Sequence, residues 1–155
     1  MTERRLRVAI AALALLGLAI ASYLTYVHYA HTTVLCVAGG GGCEKVQHSD
    51  QSKLAGVPVA VLGLVGYAGI FGSALIRGEA GRIAGALLAL IGIGFSLYLT
   101  YAEIFQIHAI CQWCVASAVV MATLAVLTCL RLLLPEEGAA RAPSADHGEL
   151  GARAG

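Results

Sequence analysis

Residues 111–134 read CQWCVASAVVMATLAVLTCLRLLL, a pair of cysteines followed by a long apolar run. The run is close to the roughly 20 residues that a helix needs to cross about 30 Å of hydrocarbon. Only helices and closed barrels pair every backbone group in lipid, and continuous apolar character, without alternation, predicts a helix. The two cysteines are therefore expected at a membrane surface.

The chain contains three further apolar runs of similar length, and its overall composition is that of a membrane protein. Of the 155 residues, 59% are hydrophobic and only 12% are charged, whereas an ordinary soluble domain is about 25% charged. The net charge of +1 provides no basic field for nucleic acid. The sequence therefore predicts an all-α integral membrane domain over residues 1–134, a bundle of four transmembrane helices. These predicted helices cover residues 6–30, 56–76, 83–105 and 112–134.

Arginines predict how the helices are oriented. The chain carries Arg4, Arg5, Arg7, Arg77, Arg82 and Arg131 near the ends of the predicted helices. Four crossings put all of them on one side, which the positive-inside rule makes cytoplasmic. Both cysteine pairs then face the extracytoplasmic side of the cell inner or plasma membrane, where disulfides persist. Both termini are expected in the cytoplasm, with a disordered tail over residues 135–155 that has too little apolar surface to offset its ordering entropy.

A repeat relates the two halves of the chain. The sequence YLTY occurs at residues 23–26 and 98–101, and Cys36 and Cys111 follow the two copies at the same spacing. This pattern predicts two parallel helix–dithiol–helix halves, although so short a motif of interfacial residues also recurs by chance. The repeat favours retention of the first helix, although Ala19-Ile20-Ala21 resembles a signal-peptide cleavage site.

The pair Cys111 and Cys114 forms a C-x-x-C at the start of the fourth predicted helix. Unpaired amide groups and the macrodipole at a helix N-terminus stabilise a thiolate. The thiolate is the form that attacks a disulfide, so this position favours thiol–disulfide exchange. Trp113, between the two cysteines, is expected at the lipid interface or in the wall of a hydrophobic ligand site.

The other pair, Cys36 and Cys43, brackets a loop that contains the four glycines of residues 39–42. Because glycine has little conformational preference, this loop would let Cys43 move between Cys36 and Cys111. A static disulfide that staples the loop is the alternative. A zinc site formed by the four cysteines is a further alternative, although C-x6-C is a poor zinc knuckle. Cys129, near the cytoplasmic end of the fourth helix, is expected to be a reduced, buried thiol.

The cysteines and the segment between them resemble the vitamin K epoxide reductase-like family of membrane thiol oxidoreductases. The matching residues are Cys36, the segment CEKVQHSDQSKLAGVPVAVLGLVGY of residues 43–67 with Ser49, Gly56-Val57-Pro58 and Gly63, and the CQWC of residues 111–114. The resemblance extends over about residues 6–134. It implies a four-helix bundle that encloses a quinone, either ubiquinone or menaquinone, as the electron acceptor.

The resemblance also implies a route for electrons. A separate thioredoxin-like or DsbA-like extracytoplasmic protein would attack a Cys36–Cys43 disulfide at Cys36. Cys43 would then attack Cys111 of the C-x-x-C disulfide. Cys114 would pass the electrons to the quinone, and the net reaction would support disulfide bond formation. Ser49 is expected either as a hydrogen-bonding residue near the loop or as a loop-capping serine.

Two positions depart from the family pattern. Some members have an asparagine in the second helix and a tyrosine after the C-x-x-C as polar contacts to the quinone, where this chain has Val59 and Ala118. The departure favours simple quinone reduction over vitamin K epoxide reduction in a vitamin K cycle, which is the near alternative. A noncatalytic membrane protein with structural disulfides or zinc is the alternative from another class. The one clear acid near a helix, Glu103, lies towards a helix end, which disfavours a transporter.

Overall fold

Helices account for most of the chain that the computed structural model describes, which is residues 3–30, 32–35, 42–47, 53–54 and 56–134. The elements are α1 (Glu3–Ala30), the short helix α2 (Gly42–Gln47), strands β1 (Lys53–Leu54) and β2 (Val57–Pro58), α3 (Val59–Leu75), α4 (Glu79–Ala102), a π-helical turn (Glu103–Ile107) and α5 (Gln112–Leu133). Cys36, Ser49 and the predicted tail lie outside the described residues. The prediction of an α-helical membrane protein is confirmed.

Three helical segments are long and apolar enough to cross a membrane. They are α1, α5 and the continuous segment Glu79–Ile107 that α4 forms with the π-helical turn. The fourth, α3, has 17 residues, which span about 26 Å and are at the lower limit for a membrane crossing. Large apolar side chains on the outside of the helices, such as those of Leu15, Val119 and Val126, are exposed, as expected where lipid covers them.

The four long helices surround a common core. α1 packs against α3 and α5, and α4 packs against the same two helices. The bundle therefore consists of two hairpins, α1–α3 and α4–α5, and the second hairpin carries the C-x-x-C at its turn. This is the helix–dithiol–helix arrangement that the repeat predicts for that half. The buried core includes Ile10, Ala14, Tyr67, Ile70 and Leu124.

Three helices begin at residues other than those predicted. α1 begins at Glu3 instead of residue 6. α3 begins at Val59 instead of residue 56, because Val57–Pro58 pairs with Lys53–Leu54 as a short antiparallel ladder. Proline has no amide hydrogen and holds the preceding residue extended, so a helix begins naturally after it. α4 begins at Glu79 instead of residue 83, and its first turn carries a buried arginine, Arg82.

Arginines at one end of the bundle bind the last carbonyl groups of α3 and α5. Arg7 donates from Nε to the carbonyl of Ala74 and from Nη2 to that of Leu75, both at 2.9 Å. Arg82 donates from Nε to the carbonyl of Arg131 at 2.8 Å. The last carbonyls of a helix have no partner within it, and hydrocarbon offers none. These side chains therefore satisfy groups that would otherwise be left unpaired.

Arg131 closes the same end from inside the bundle. Its side chain is only 2% exposed and forms a 2.9 Å ion pair with Glu3. It also donates to the carbonyl of Ser73 at 3.3 Å and to that of Ile76 at 3.2 Å. The arginines from which the orientation is predicted thus also hold helix ends together, at the opposite end of α5 from Cys111.

Replacement of Arg131 by leucine should destabilise the bundle, because it removes the partner of Glu3 and of two helix-end carbonyls. We expect the free energy of unfolding to fall by about 3 kcal/mol, measured by chemical unfolding in detergent micelles. Arg77→Leu is the matched control, since Arg77 is exposed at the same end and its side chain makes no hydrogen bond to the described residues. Equal losses in the two variants would contradict the role given to Arg131.

Candidate functional site

The C-x-x-C lies where the chain enters α5. Cys111 is fully buried at the N-cap position, and its carbonyl accepts the first helical hydrogen bond from the amide of Val115 at 3.0 Å. Cys114 lies in the first turn, and both thiols are free. A hydrogen bond from Cys114 holds the pKa of the Cys111 thiol below its ordinary value, with burial opposing and nearby amide groups assisting. The arrangement therefore favours a thiolate at Cys111.

Cys43 lies next to this motif. It is carried by α2, is 2% exposed and is disulfide-bonded. It belongs to one buried cluster with Val46, Ile107 and Cys111, because α2 packs against the π-helical turn. The fold thus brings Cys43 of the loop pair and Cys111 of the C-x-x-C into a single apolar cluster, while Cys36 lies outside the described residues.

Trp113 holds the chain segment that precedes Cys36. Its Nε1 donates to the carbonyl of Leu35 at 2.9 Å, and the amide of Leu35 donates to the hydroxyl of Tyr23 at 3.1 Å. The Tyr23 and Trp113 rings pack with their centroids 5.1 Å apart. The structure therefore places Trp113 against the loop, and the first tyrosine of the repeat shares this contact.

A cavity of about 560 Å³ lies within the bundle beside Cys114. This volume falls in the range of about 300–1,000 Å³ that is typical of ligand sites. The lining is mostly apolar and includes Val59 and Ala118, the two positions that depart from the family pattern. The lining residues that bear a polar side chain or thiol are Tyr67, Ser96, Tyr98, Thr100, Glu103, Cys114 and Ser117. A largely apolar cavity with polar groups beside a thiol suits a ligand with a polar headgroup and an apolar tail.

Tyr67 and Ser117 form a polar pair in the cavity wall. The Tyr67 hydroxyl donates to the Ser117 carbonyl at 2.9 Å and lies 2.8 Å from its hydroxyl. Gly17 of α1 makes room for the tyrosine, since a Cβ at that position would collide with the ring. The sequence alone did not mark this pair, because the contact depends on how α3 and α5 are rotated about their axes. The pair supplies hydroxyl groups that Val59 and Ala118 lack.

The substitution Gly17→Ala should displace the Tyr67 ring and separate its hydroxyl from Ser117. We expect it to lower the free energy of unfolding by about 1–3 kcal/mol, measured in detergent. Gly72→Ala in α3 is the control, since a Cβ there would meet nothing within 4 Å and alanine favours a helix over glycine. The close approach of α1 to Tyr67 would be refuted if the two variants unfolded alike.

Glu103 is a further site residue, which the sequence marked only as an acid near a helix end. Its side chain is 4% exposed, and its Oε2 accepts the amide of Cys111 at 3.2 Å. Its carbonyl accepts the amide of Ala109, also at 3.2 Å. The carboxylate also lines the cavity beside Cys114, and the two side chains interact electrostatically. An acid at the end of an apolar run, eight residues before a C-x-x-C, is the signal that indicates such a role.

The zinc site and the state of Cys129 are the remaining predicted features. Among the residues that the structure describes, no three His, Cys, Asp or Glu side chains are arranged to hold a metal ion. Cys129 is a free thiol, as predicted, but it is partly exposed and not buried.

Comparison with known families identifies the fold. A model of the vitamin K epoxide reductase family matches residues 8–129, which run from α1 almost to the end of α5. The chain belongs to the vitamin K epoxide reductase family. The resemblance seen in the cysteines and in the segment between them is thereby confirmed. Members of the family are oxidoreductases and are in general linked to quinones.

Proposed function

We propose that this family member is a quinone-dependent thiol–disulfide oxidoreductase. It oxidises a separate thioredoxin-like or DsbA-like extracytoplasmic protein and thereby supports disulfide bond formation. The observation that carries the proposal is the junction of three parts at one end of the bundle. A disulfide-bonded loop cysteine, the C-x-x-C and a mostly apolar cavity adjoin there.

The first exchange takes electrons from the partner. A thiolate of the partner attacks Cys36 of the Cys36–Cys43 disulfide, so that a mixed disulfide forms and Cys43 leaves as a thiolate. The second thiol of the partner then releases Cys36 and leaves the partner oxidised. Support comes from Leu35, the residue before Cys36, which is 72% exposed and held at the bundle end by Trp113 and Tyr23.

The second exchange moves the electrons inward. Cys43 attacks Cys111 of the Cys111–Cys114 disulfide and releases Cys114, which takes up one of the protons that the partner dithiol loses on oxidation and becomes a thiol. Cys36 then attacks Cys43, which re-forms the loop disulfide and frees Cys111. Support comes from the burial of Cys43 and Cys111 in one cluster.

The cavity fits a quinone in size and in polarity. Apolar side chains such as Leu62, Ile91 and Met121 would cover the ring and tail, while Tyr67 and Ser117 would provide hydroxyl groups near the carbonyl oxygens. A bound quinone accepts two electrons and two protons and becomes a quinol. The chain contributes by holding Cys114 in the cavity wall and by excluding water from the two thiols.

Quinone reduction is favoured over vitamin K epoxide reduction by the lining. Val59 and Ala118 both line the cavity, and neither side chain donates a hydrogen bond. The two positions at which some family members place polar contacts to the ligand therefore provide no such contact in this chain, which favours the simpler reaction.

The test is anaerobic quinone reduction by the purified full-length protein with a reduced thioredoxin-fold protein. Ubiquinone, menaquinone and vitamin K epoxide are compared in parallel reactions. We expect the wild type to form quinol and Cys114→Ser to lose at least about 100-fold in rate, because covalent catalysis fails as a unit when one member is removed. Cys129→Ser, at the other end of α5, should retain the wild-type rate.

A wild-type protein that reduces none of the quinones, with unchanged thiol counts after exposure to the partner, would contradict the proposal. That result would favour the noncatalytic alternative with structural disulfides. Turnover of the epoxide but not of the quinones would instead favour the vitamin K cycle.

A further inference from the structure

We infer that Glu103 is a catalytic residue that accepts the proton of the Cys114 thiol and delivers it to the acceptor in the cavity. This role rests on the proposed function. It goes beyond the four cysteines, which account for electrons but leave the route of the protons open.

The position of the carboxylate carries the inference. Glu103 lies on the apolar segment Glu79–Ile107 and is 4% exposed, and an ionisable group buried on such a segment is costly and usually functional. It lines the cavity together with Cys114 and binds the amide of Cys111 at 3.2 Å. One side chain thus lies beside the C-x-x-C and faces the space in which the acceptor would bind.

A structural role alone does not require an acid at this position. Glu103 accepts the amide hydrogen of Cys111 at 3.2 Å, and a neutral glutamine would accept the same hydrogen with its side-chain oxygen. Glutamine would avoid the cost of placing a carboxylate in a buried, membrane-spanning segment. Proton transfer therefore explains the acid at this position, because a glutamine side chain cannot accept and deliver the proton.

Disulfide formation supplies both electrons and one of the two protons. The Cys111 thiolate and the Cys114 thiol form the Cys111–Cys114 disulfide, which breaks the S–H bond of Cys114 and releases two electrons and one proton. Glu103 takes this proton and gives it to one oxygen of the quinone. The second oxygen takes up a proton from water, to which Cys111 lost its own proton on becoming a thiolate, so the quinone is reduced to quinol and Glu103 returns to its starting state.

The titratable groups around Glu103 are few among the described side chains. Cys111, at the N-cap of α5, donates its amide to Glu103, and Cys114, Tyr67 and Tyr98 share the cavity lining with it. Lys45, on the α2 helix that packs against the π-helical turn, is exposed.

The experiment compares Glu103→Gln and Glu103→Asp with the wild-type protein. Glu79→Gln is the matched control, since it makes the same chemical change at the exposed opposite end of α4. We expect Glu103→Gln to lower kcat for quinone reduction by about 100-fold, the scale of general acid–base catalysis, with little change in the KM for quinone. Glu103→Asp, which keeps an acid, should recover part of the loss. The pH dependence of kcat should differ between the wild type and Glu103→Gln, and Glu79→Gln should match the wild type.

A second readout needs no quinone. The infrared S–H stretch of Cys114, assigned with Cys114→Ser in the reduced protein, reports the hydrogen bond that this thiol donates. We expect its frequency to be lower in the wild type than in Glu103→Gln, because a carboxylate is a stronger acceptor than an amide. A role limited to holding the Cys111 amide would leave this band unchanged.

The outcomes separate the inference from the function on which it rests. Wild-type kcat and an unshifted S–H band in Glu103→Gln would overturn the role of Glu103 while leaving the proposed function intact. A wild type that forms no quinol would instead overturn the proposed function, and the infrared band would still decide whether Glu103 binds the Cys114 thiol.

Discussion

The contact of the π-helical turn with the start of α5 is the interaction on which the site depends. In hydrocarbon every backbone group needs a partner within the protein, and the chain has to leave α4 and enter α5 within a few residues. Glu103 meets this requirement by accepting amides from Ala109 and Cys111. The same turn provides Ile107 for the cluster that contains Cys43. The π-helical turn therefore contacts both the buried C-x-x-C and the loop cysteine, and the positions of all three depend on one another.

The two ends of the bundle use polar groups differently. At the arginine end, guanidinium groups bind helix carbonyls and fix the ends of α3 and α5. At the cysteine end, the hydrogen bonds of Tyr23, Trp113 and Glu103 go to backbone groups of irregular segments. The first end stabilises the bundle, and the second positions groups that exchange bonds. The separation would let the cysteine end carry out the proposed disulfide exchange while the opposite end keeps the helices together.

The helical membrane architecture could be predicted from the sequence because long apolar runs leave few other folds. The cysteine pairs could also be recognised from the sequence, since their spacing and their position at helix ends are typical of thiol–disulfide chemistry. The contact of Tyr67 with Ser117 was not predictable, because it depends on helix rotation and on the absence of a Cβ at Gly17. The burial of the Glu103 side chain was not predicted, for a related reason. The predicted third helix ran on to residue 105, whereas the structure changes to a π-helical turn at Glu103.

The most direct measurement of the central claim, that the loop pair hands electrons to the C-x-x-C, is disulfide mapping of the double variant Cys36→Ser/Cys114→Ser. Only Cys43, Cys111 and Cys129 then remain, and mass spectrometry after digestion without reductant identifies any bond between them. The account predicts a Cys43–Cys111 disulfide, because those residues share a buried cluster and neither retains its usual partner, and it predicts a free Cys129. A folded double variant in which Cys43 and Cys111 both stay free under mild oxidation would contradict the account.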